Sequence, residues 1–531
     1  VTLCNGQIPK FDSSFGTNGF VQTDISKYND AAQVIALQPD GKILLGGHIS
    51  HESGSFGMAI ARYNANGTLD KSFSIDGIDT FIIGDVNSFN TLDMIVSIQV
   101  QTDGKIVAAA RTNDYDASFQ VISKVVLVRY NADGTRDNSF GNNGLVFGDV
   151  KNSEPSTIVL QPDGKIVLAG TRTVKQTAQP QMYIQMIISR FNTDGSVDDS
   201  FGTQGTVVIN PGSDKLISFR PTTLIIQPDG KILSYAIYWD AGKQIGKTGI
   251  IRCNANGSLD NTFGNKGFNI SSYYTSGSCH AMSLQEDGKI VVVGYTNSPP
   301  EYINKLVLAR YKSDGSADPA FGTNGITYFH FDTTAVLKGT VNGGVLALQK
   351  DGKIIVRGAG YSDSLSKSLL FRYNTDGSLD STFGVNGVTF YNYKLGESNV
   401  IPAGDMILQP DGKLLTGASI FGQSSSYFSM ARLIMSLNTG VIDAEPGTSN
   451  LLFYPNPVSN ISTLQYELLN TETVNIIIYD MTGKIINVPV KNESRQLGKN
   501  IETIDFSSLS AGSYILTIQT GKGNTNIKII K

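Results

Sequence analysis

The stretch Val159-Leu160-Gln161-Pro162-Asp163-Gly164-Lys165-Ile166-Val167 decides how this chain is read. Two short apolar runs flank a turn whose proline presets the first dihedral and whose glycine supplies the positive one, so the segment spells a β-hairpin. The turn recurs as Asp40-Gly41-Lys42, Asp103-Gly104-Lys105, Asp229-Gly230-Lys231, Asp287-Gly288-Lys289, Asp351-Gly352-Lys353 and Asp411-Gly412-Lys413. With Asp163-Gly164-Lys165 that makes seven copies, spaced by about 60 residues, the range in which periodic sequence means a repeat architecture. Pro39, Pro162, Pro228 and Pro410 precede four of the turns. We label the hairpin strands A and B.

A second module follows each hairpin. Its clearest copy runs Ile188-Ser189-Arg190-Phe191-Asn192-Thr193-Asp194-Gly195, continues through Asp198 to Phe201-Gly202-Thr203-Gln204-Gly205, and ends in Val207-Val208-Ile209. This reads as strand C, a structured turn and strand D. The arginine returns as Arg62, Arg129, Arg252, Arg310, Arg372 and Arg432. The Phe-Gly pair returns at Phe140, Phe263, Phe321 and Phe383, with Phe73-Ser74 as the variant. No Phe-Gly follows Arg432. It stands instead at the N-terminus, in Phe11-Asp12-Ser13-Ser14-Phe15-Gly16-Thr17-Asn18-Gly19-Phe20-Val21, ahead of the first complete A-B-C unit.

The repeat is therefore circularly offset. Four strands per unit, and a count that closes when an N-terminal strand completes the last unit, predict an all-β, seven-bladed β-propeller of four-stranded blades over residues 11–440. An open solenoid would have no use for the offset. Interlocking the chain ends removes a free sheet edge and ties down the termini.

These residues resemble the delta-60 repeat family, whose Leu-Gln-Pro-Asp-Gly-Lys-Ile, Arg-Tyr-Asn-x-Asp-Gly-Ser-Leu-Asp and Phe-Gly-x-x-Gly pattern is matched across residues 11 to 440. The resemblance implies an extracellular or cell-surface bacterial protein and no particular catalytic chemistry.

Past residue 440 the period stops. Residues 441–450 include Glu445-Pro446-Gly447-Thr448-Ser449-Asn450 and read as a linker. Residues 451–531 then alternate polar and apolar positions through Val474–Asp480, Gly512–Ile518 and Ile527–Lys531, the pattern of an Ig-like β-sandwich. Its opening Tyr454-Pro455-Asn456-Pro457, its closing Gly512-Ser513-Tyr514 and its basic, apolar tail at Lys528 and Lys531 resemble the type A sorting domain of the type IX secretion system of Bacteroidota. That resemblance implies recognition by the type IX translocon and its outer-membrane shuttle barrel, and a final place outside the cell or on its surface.

Bulk properties agree with an all-β chain of more than one domain. The 531 residues are 40% hydrophobic and 17% charged, enough to build more than one core, and 56 are glycine. A net charge of −4 without Lys or Arg blocks excludes the electrostatic footprint of nucleic-acid or anionic-membrane binding. No run approaches the roughly 18 apolar residues of a transmembrane segment. Residues 1–10 read as a lead containing a signal-peptide remnant, because Cys4 and Gly6 are small residues at the −3 and −1 positions of a cut before Gln7. Three cysteines exclude a disulfide scaffold, and Cys253 and Cys279 are read as buried thiols.

Catalytic motifs are not found. His48, His51, His280 and His330 are scattered without metal-ligand spacing, and there is no nucleophile elbow, phosphate loop or dinucleotide fingerprint. Asn131, Asp133 and Asp137, and their counterparts in other repeats, resemble calcium-loop spacing, but their presence in nearly every repeat favours turn capping, with Asp70, Asp137, Asp198, Asp260, Asp318 and Asp380 paired to the repeat arginines. No metal or cofactor is assigned.

Topology then separates two faces. The repeated A-B and C-D turns share one, and the variable B-C and D-A connections share the other, where variation encodes recognition without disturbing the core. The B-C connections carry Tyr115, Phe119, Tyr183, Tyr238, Trp239, Asp240, Tyr295, Tyr302, Tyr361, Phe421 and Tyr427. Aromatic rings beside polar groups suit a glycan or a protein partner such as an adhesin. The expectation is a secreted or cell-surface binding protein associated with adhesion or motility. The alternative is a polysaccharide hydrolase or lyase using Asp114, Asp116 or Asp240 on the same face.

Overall fold

Each Asp-Gly-Lys motif closes a two-strand hairpin in which the glutamine amide ahead of it meets the lysine carbonyl, as in Gln38 N to Lys42 O at 2.8 Å. The turn glycines share one backbone conformation, with φ between +78° for Gly288 and +84° for Gly41 and Gly104. A Cβ at Gly41 would meet nothing nearer than 3.6 Å, so the left-handed φ rather than space demands glycine there.

The computed structural model describes residues 9–531 except 85–90, 116–120, 149, 151, 176–181, 210–216, 241–244, 272–280, 297–304, 331–340, 363–364, 392, 396–397, 401–404, 422–425, 436–447, 455–457, 459, 469, 481–483 and 522. Among these residues all regular structure is β-strand. The chain divides into a larger unit, Lys10–Asp380 with Val388–Leu433, and a smaller one that includes Ile434–Lys531.

The larger unit holds six four-stranded antiparallel sheets, each in simple A-B-C-D order. Sheet one is Asp30–Leu37, Ile43–Ser50, Phe56–Tyr63 and Ile78–Phe81. Sheets two to six begin with A strands Met94–Val100, Ser153–Leu160, Ile217–Ile226, Ala281–Leu284 and Val341–Leu348. A seventh sheet takes Met406–Leu408, Lys413–Phe421 and Ser426–Ile434 from the C-terminal end and Phe20–Thr23 from the N-terminal end, with the short strand Lys10–Phe11 added. Phe20, Val21, Gln22 and Thr23 face Ala431, Met430, Ser429 and Phe428 across that junction. The A strands of consecutive sheets lie against one another all the way round, and Met406–Leu408 lies against Asp30–Leu37 to complete the cycle.

Because every sheet is covered on both faces, its B strand is buried along its length. Ile43–Ser50 has no exposed position, which is why the sequence shows continuous apolar runs rather than alternation. The core consists of slabs between neighbouring sheets. Leu44, Met58 and Ile60 of sheet one pack on Ile95, Ile98 and Ile106 of sheet two, and Leu415, Phe428 and Met430 of sheet seven pack on Ile35, Ile43 and Leu45 of sheet one.

One ionic junction recurs seven times. Each repeat arginine holds a buried aspartate at 2.7 or 2.8 Å, from Arg62–Asp70 through Arg372–Asp380 to Arg432–Asp12. The turn lysine reaches the same carboxylate, for example Lys165–Asp198 at 2.8 Å and Lys413–Asp12 at 3.0 Å. Burial raises the affinity of these carboxyls for a proton. Hydrogen bonds from the neighbouring Ser or Thr and the lysine, with the arginine charge, outweigh it and hold Asp12, Asp70, Asp137, Asp198 and Asp260 well below the usual carboxylate range.

The arginine also connects sheets. Arg190 donates to Ala255 O of the next repeat at 2.6 Å, and Arg62, Arg129, Arg252, Arg310 and Arg432 make the equivalent bonds to Ala132, Thr193, Ser313, Thr375 and Ala65. Its guanidinium covers the Phe-Gly phenylalanine at 4.4 to 4.7 Å, and Phe15, Phe73, Phe140, Phe201, Phe263 and Phe321 have no exposed surface.

The smaller unit has two antiparallel sheets, one of Thr448–Tyr454, Ile461–Leu468 and Gly498–Asp505, the other ordered Ile485–Arg495, Glu472–Asp480, Ser513–Thr520, Gly523–Ile530. Leu464, Tyr466, Ile476, Ile478, Leu516, Ile518, Ile527 and Ile529 form its core. Its first strand starts at Thr448, paired with Leu468, so the last residues of the stretch read as linker belong to a sheet; the backbone ladder overrides their turn-like composition.

The Phe73-Ser74 variant carries a local cost. Ser74 has φ +55°, where Gly16, Gly141, Gly202, Gly264 and Gly322 lie between +51° and +59°. A side chain in the left-handed region costs about 1 kcal/mol. Ser74→Gly is expected to stabilise the larger unit by about that amount, read as a higher denaturation midpoint at unchanged m-value.

Candidate functional site

The B and C strands of sheets two to four outrun their D strands. In sheet three Ile166–Lys175 pairs with Met182–Phe191 over ten residues, whereas Thr206–Ile209 covers only Met186–Ser189. Sheet two repeats this with Ile106–Tyr115 and Val121–Tyr130 against Leu145–Phe147, and sheet four with Ile232–Asp240 and Ile245–Cys253 against Phe268–Ile270. At their B-C ends sheets two and three therefore continue as two-stranded ribbons, whereas in sheet four the A strand runs on to face Asp240 and the end is three-stranded.

This corrects the reading of the B-C aromatics as loop residues. Tyr115, Tyr183, Tyr238, Trp239, Asp240, Tyr361 and Tyr427 all stand in strands, because the cross-strand ladder continues almost to the end of each hairpin. Asp114 also lies in a strand. Phe119, Tyr302 and Asp116 lie outside the described residues.

Strand alternation sorts the residues of sheet four. Tyr238 turns inward and meets Phe219 edge-on, with ring centroids 5.4 Å apart. Asp240 is only 2% exposed. Trp239 points to the other face and is 38% exposed, and its cross-strand neighbours are the small residues Ser218 and Gly246. No larger residue flanks the indole across either strand. Tyr427 is half-buried at the start of its strand.

A polar junction not read from the sequence joins sheets two and three at this end. Arg111 meets Glu154 at 3.2 Å, and Ser123 Oγ lies 3.1 Å from Asn113 Oδ1 and 3.2 Å from Glu154 Oε1. Its members belong to different repeats at positions outside the repeat motif, so only adjacency in space reveals it.

The turn carboxylates serve their own turns. Asp133 Oδ1 accepts from Thr135 N at 3.0 Å and Thr135 Oγ1 at 2.7 Å, and Asp137 is committed to Arg129 and Lys105. His48 is 8% exposed, stacks on Phe56 at 4.2 Å, and has a buried Nδ1 without a hydrogen-bond partner. Burial pulls its pKa down to about 4. Burial pushes the free Cys253 thiol up to about 12, so it is inert; Cys4, Cys279 and His280 lie outside the described residues.

In the smaller unit the closing sorting motif, and Val458 and Asn460 just after the opening one, meet the last strand and its end. Val458 N donates to Ile530 O at 2.7 Å, and Gly512 and Lys531 exchange backbone bonds of 3.0 and 2.9 Å. Tyr514 pairs with Ile529 and donates its hydroxyl to Ser510 O at 2.8 Å, and Lys531 Nζ lies 3.1 Å from Asn460 Oδ1. Tyr454 ends the first strand and Lys528 lies within the last, while Pro455, Asn456 and Pro457 fall outside the described residues.

A cyclic array of four-stranded sheets followed by a separate β-domain defines a repeat-built, all-β protein. Residues 38–73, 101–140, 161–201, 227–263, 285–321 and 349–383 match the DUF5122 β-propeller family, and residues 452–531 match the secretion system C-terminal sorting domain. The chain carries a DUF5122 β-propeller repeat region and a type IX sorting tail, which directs it to the extracellular or cell-surface space.

No curated protein matches the sequence. Among solved structures the chain is similar to polysaccharide lyase Uly1, at 12% identity and TM-score 0.47 over 82% of this chain and 97% of that one. It is also similar to a PL25 ulvan lyase, at 8% and 0.42 over 76% and 97%, and to the β-propeller domain of a trilobed protease from Pyrococcus furiosus, at 14% and 0.34 over 76% and 95%.

Two outcomes follow. The neutral form of His48 is favoured in the fold, so the stability it contributes is complete above pH 6.5 and is lost as pH falls towards 4, at about 1.4 kcal/mol per unit. Denaturation across that window is expected to show a shallower pH slope in His48→Phe than in the parent. Ile529 is fully buried in the last strand, and Ile529→Ala is expected to cost about 2–5 kcal/mol, making the tail protease-sensitive and lowering the secreted fraction.

Proposed function

We propose that this is a type IX-exported binding protein whose larger unit presents the B-C ends of its sheets to a glycan. The observation that carries the reading is Trp239, an indole displayed between Ser218 and Gly246 on the middle strand of a three-stranded sheet end. A flat ring with both cross-strand neighbours small is a stacking platform for a sugar ring, and a strand holds it without an ordering penalty at binding. Tyr115, Tyr183, Tyr361 and Tyr427 stand on the B-C halves of other sheets, with Phe119 and Tyr302 in the same connections, and they extend the platform. Asp240, being buried, orders the sheet end rather than meeting a sugar.

The finer architecture belongs to the same reading. The seven cyclically contacting sheets are the blades of a closed seven-bladed propeller spanning 11–440, locked by its N-terminal strand. The 451–531 unit is Ig-like, since its first, second and fifth strands form one sheet and its third, sixth and seventh the other, with the fourth strand added beside the third. Its sorting motifs are the surface offered to the translocon and an outer-membrane shuttle barrel. Adhesion or motility is the process such a surface-displayed receptor serves.

The test is a glycan array probed with the full-length protein and with Trp239→Ala. Trp239→Ala is expected to weaken binding about tenfold or more, equivalent to about 1.4 kcal/mol, with unchanged melting temperature. Unchanged binding removes Trp239 from the site. Co-purification of one surface protein in fixed ratio, without glycan binding, replaces the glycan by a protein partner, and cleavage of a bound polysaccharide replaces the receptor by an enzyme.

A further inference from the structure

The seven A strands enclose an axial space, and one layer of it breaks the repeat. Counting back four residues from the glutamine that opens each A-B turn gives Val34, Ser97, Thr157, Thr223, Ala281, Val345 and Asp405. Six sheets carry a small or hydroxylated residue at this level, and sheet seven carries a carboxylate. A cavity of about 490 Å³ opens at the layer, walled by Val34, Ile35, Ser97, Ile98, Thr157 and Ile407 among others, and among the described residues Asp405 is the one charged residue in its lining.

A second departure stands behind the first. Four residues after the turn lysine the sheets carry Gly46, Ala109, Ala169, Tyr235, Val293 and Gly417, but sheet six carries Arg357. This position faces the A-strand layer across the hairpin, as in Val34↔Gly46, Ser97↔Ala109 and Thr157↔Ala169. Arg357 is 6% exposed and its Nη1 lies 3.5 Å from the carbonyl of Gly417 in sheet seven. Gly417 N in turn donates to Asp405 O at 3.0 Å. The two charged departures from the repeat thus meet at one layer, on either side of Gly417.

Placing two charges in this layer, where the other sheets carry uncharged residues, is weak as a source of stability, so the departure asks for a reason beyond it. Arg357 lies outside the cavity lining and Asp405 lies in it. Burial raises the pKa of Asp405 although the Met406 amide and the Arg357 charge act to lower it, so its ionised form is under-compensated. An arriving positive charge would complete that compensation, and the isoleucine and valine walls would cover an apolar body.

We infer that this axial cavity is a binding site for a small organic cation, an ammonium group on a short apolar body, with Asp405 as its counter-ion. The site is independent of the Trp239 platform. The probes are butylammonium, 1-butanol and butyrate, added to the full-length protein at constant ionic strength and followed by saturation-transfer NMR. Butylammonium is expected to bind about tenfold or more tightly than butanol, with no signal from butyrate. Asp405→Asn is expected to abolish the butylammonium signal and Trp239→Ala to leave it intact.

Equal binding of butanol, binding of none of the three, or a folded Asp405→Asn protein that keeps the signal would overturn the assignment. If Asp405→Asn does not fold, Val34→Phe, which narrows the cavity without touching the charge, must abolish the signal; persistence there overturns it equally.

Discussion

A buried carboxylate shared by one arginine and one lysine is the constraint on which the rest of the larger unit depends. It joins strand C, the turn after it and the A-B turn of the same sheet, and the free edge of the guanidinium then bonds the following repeat. A buried ion pair of this kind is weak as a source of net stability and strong as a specifier, because losing one partner strands the other charge at a cost of about 3–5 kcal/mol. Seven such junctions leave little freedom in the angle or order of the sheets. The closing copy is Asp12 with Arg432 and Lys413, and Arg432 reaches on to Ala65. Chain ends 420 residues apart are thereby fixed by the same contact that fixes neighbours.

That uniformity frees the other end of the sheets. The A-B and C-D turns are spent on holding the ring, with their carboxylates bonded to their own backbone amides or to the Arg–Lys pair. The B-C ends lie outside the repeated turn motifs and differ between repeats in length and residue type. A strand holding Trp239 fixes the direction of the ring, whereas a loop would have to order it on binding. Export is directed by a different piece of the chain, where the last strand closes the core of the smaller unit and its end takes backbone bonds from Val458 and Gly512.

Departures from a repeat gain meaning when they fall on one another in space. Ser74 stands alone where its counterparts are glycine, and its consequence is local strain. Asp405 and Arg357 stand in different repeats at different motif positions, yet the ladder places them on either side of Gly417. In an array built from near-identical units, such a coincidence is a better pointer to chemistry than any one residue.

By itself the sequence determined the strand order, the hairpin turns, the circular offset, the Arg–Asp partners and the sorting tail. Each is a local matter of φ, side-chain capping or spacing within one repeat, or a motif read directly. It placed Trp239 and Asp240 side by side in one B-C connection as equals. Only the tertiary structure separated them, since alternation along a strand buries one neighbour and exposes the other once the partner sheet is known. The lysine as third member of each ionic junction, the arginine's reach into the next sheet, the Arg111–Glu154 bridge and the cavity around Asp405 were decided there too. All of these are contacts between strands or sheets that are distant along the chain, and the spacing of residues carries no record of which face of a sheet its neighbour covers.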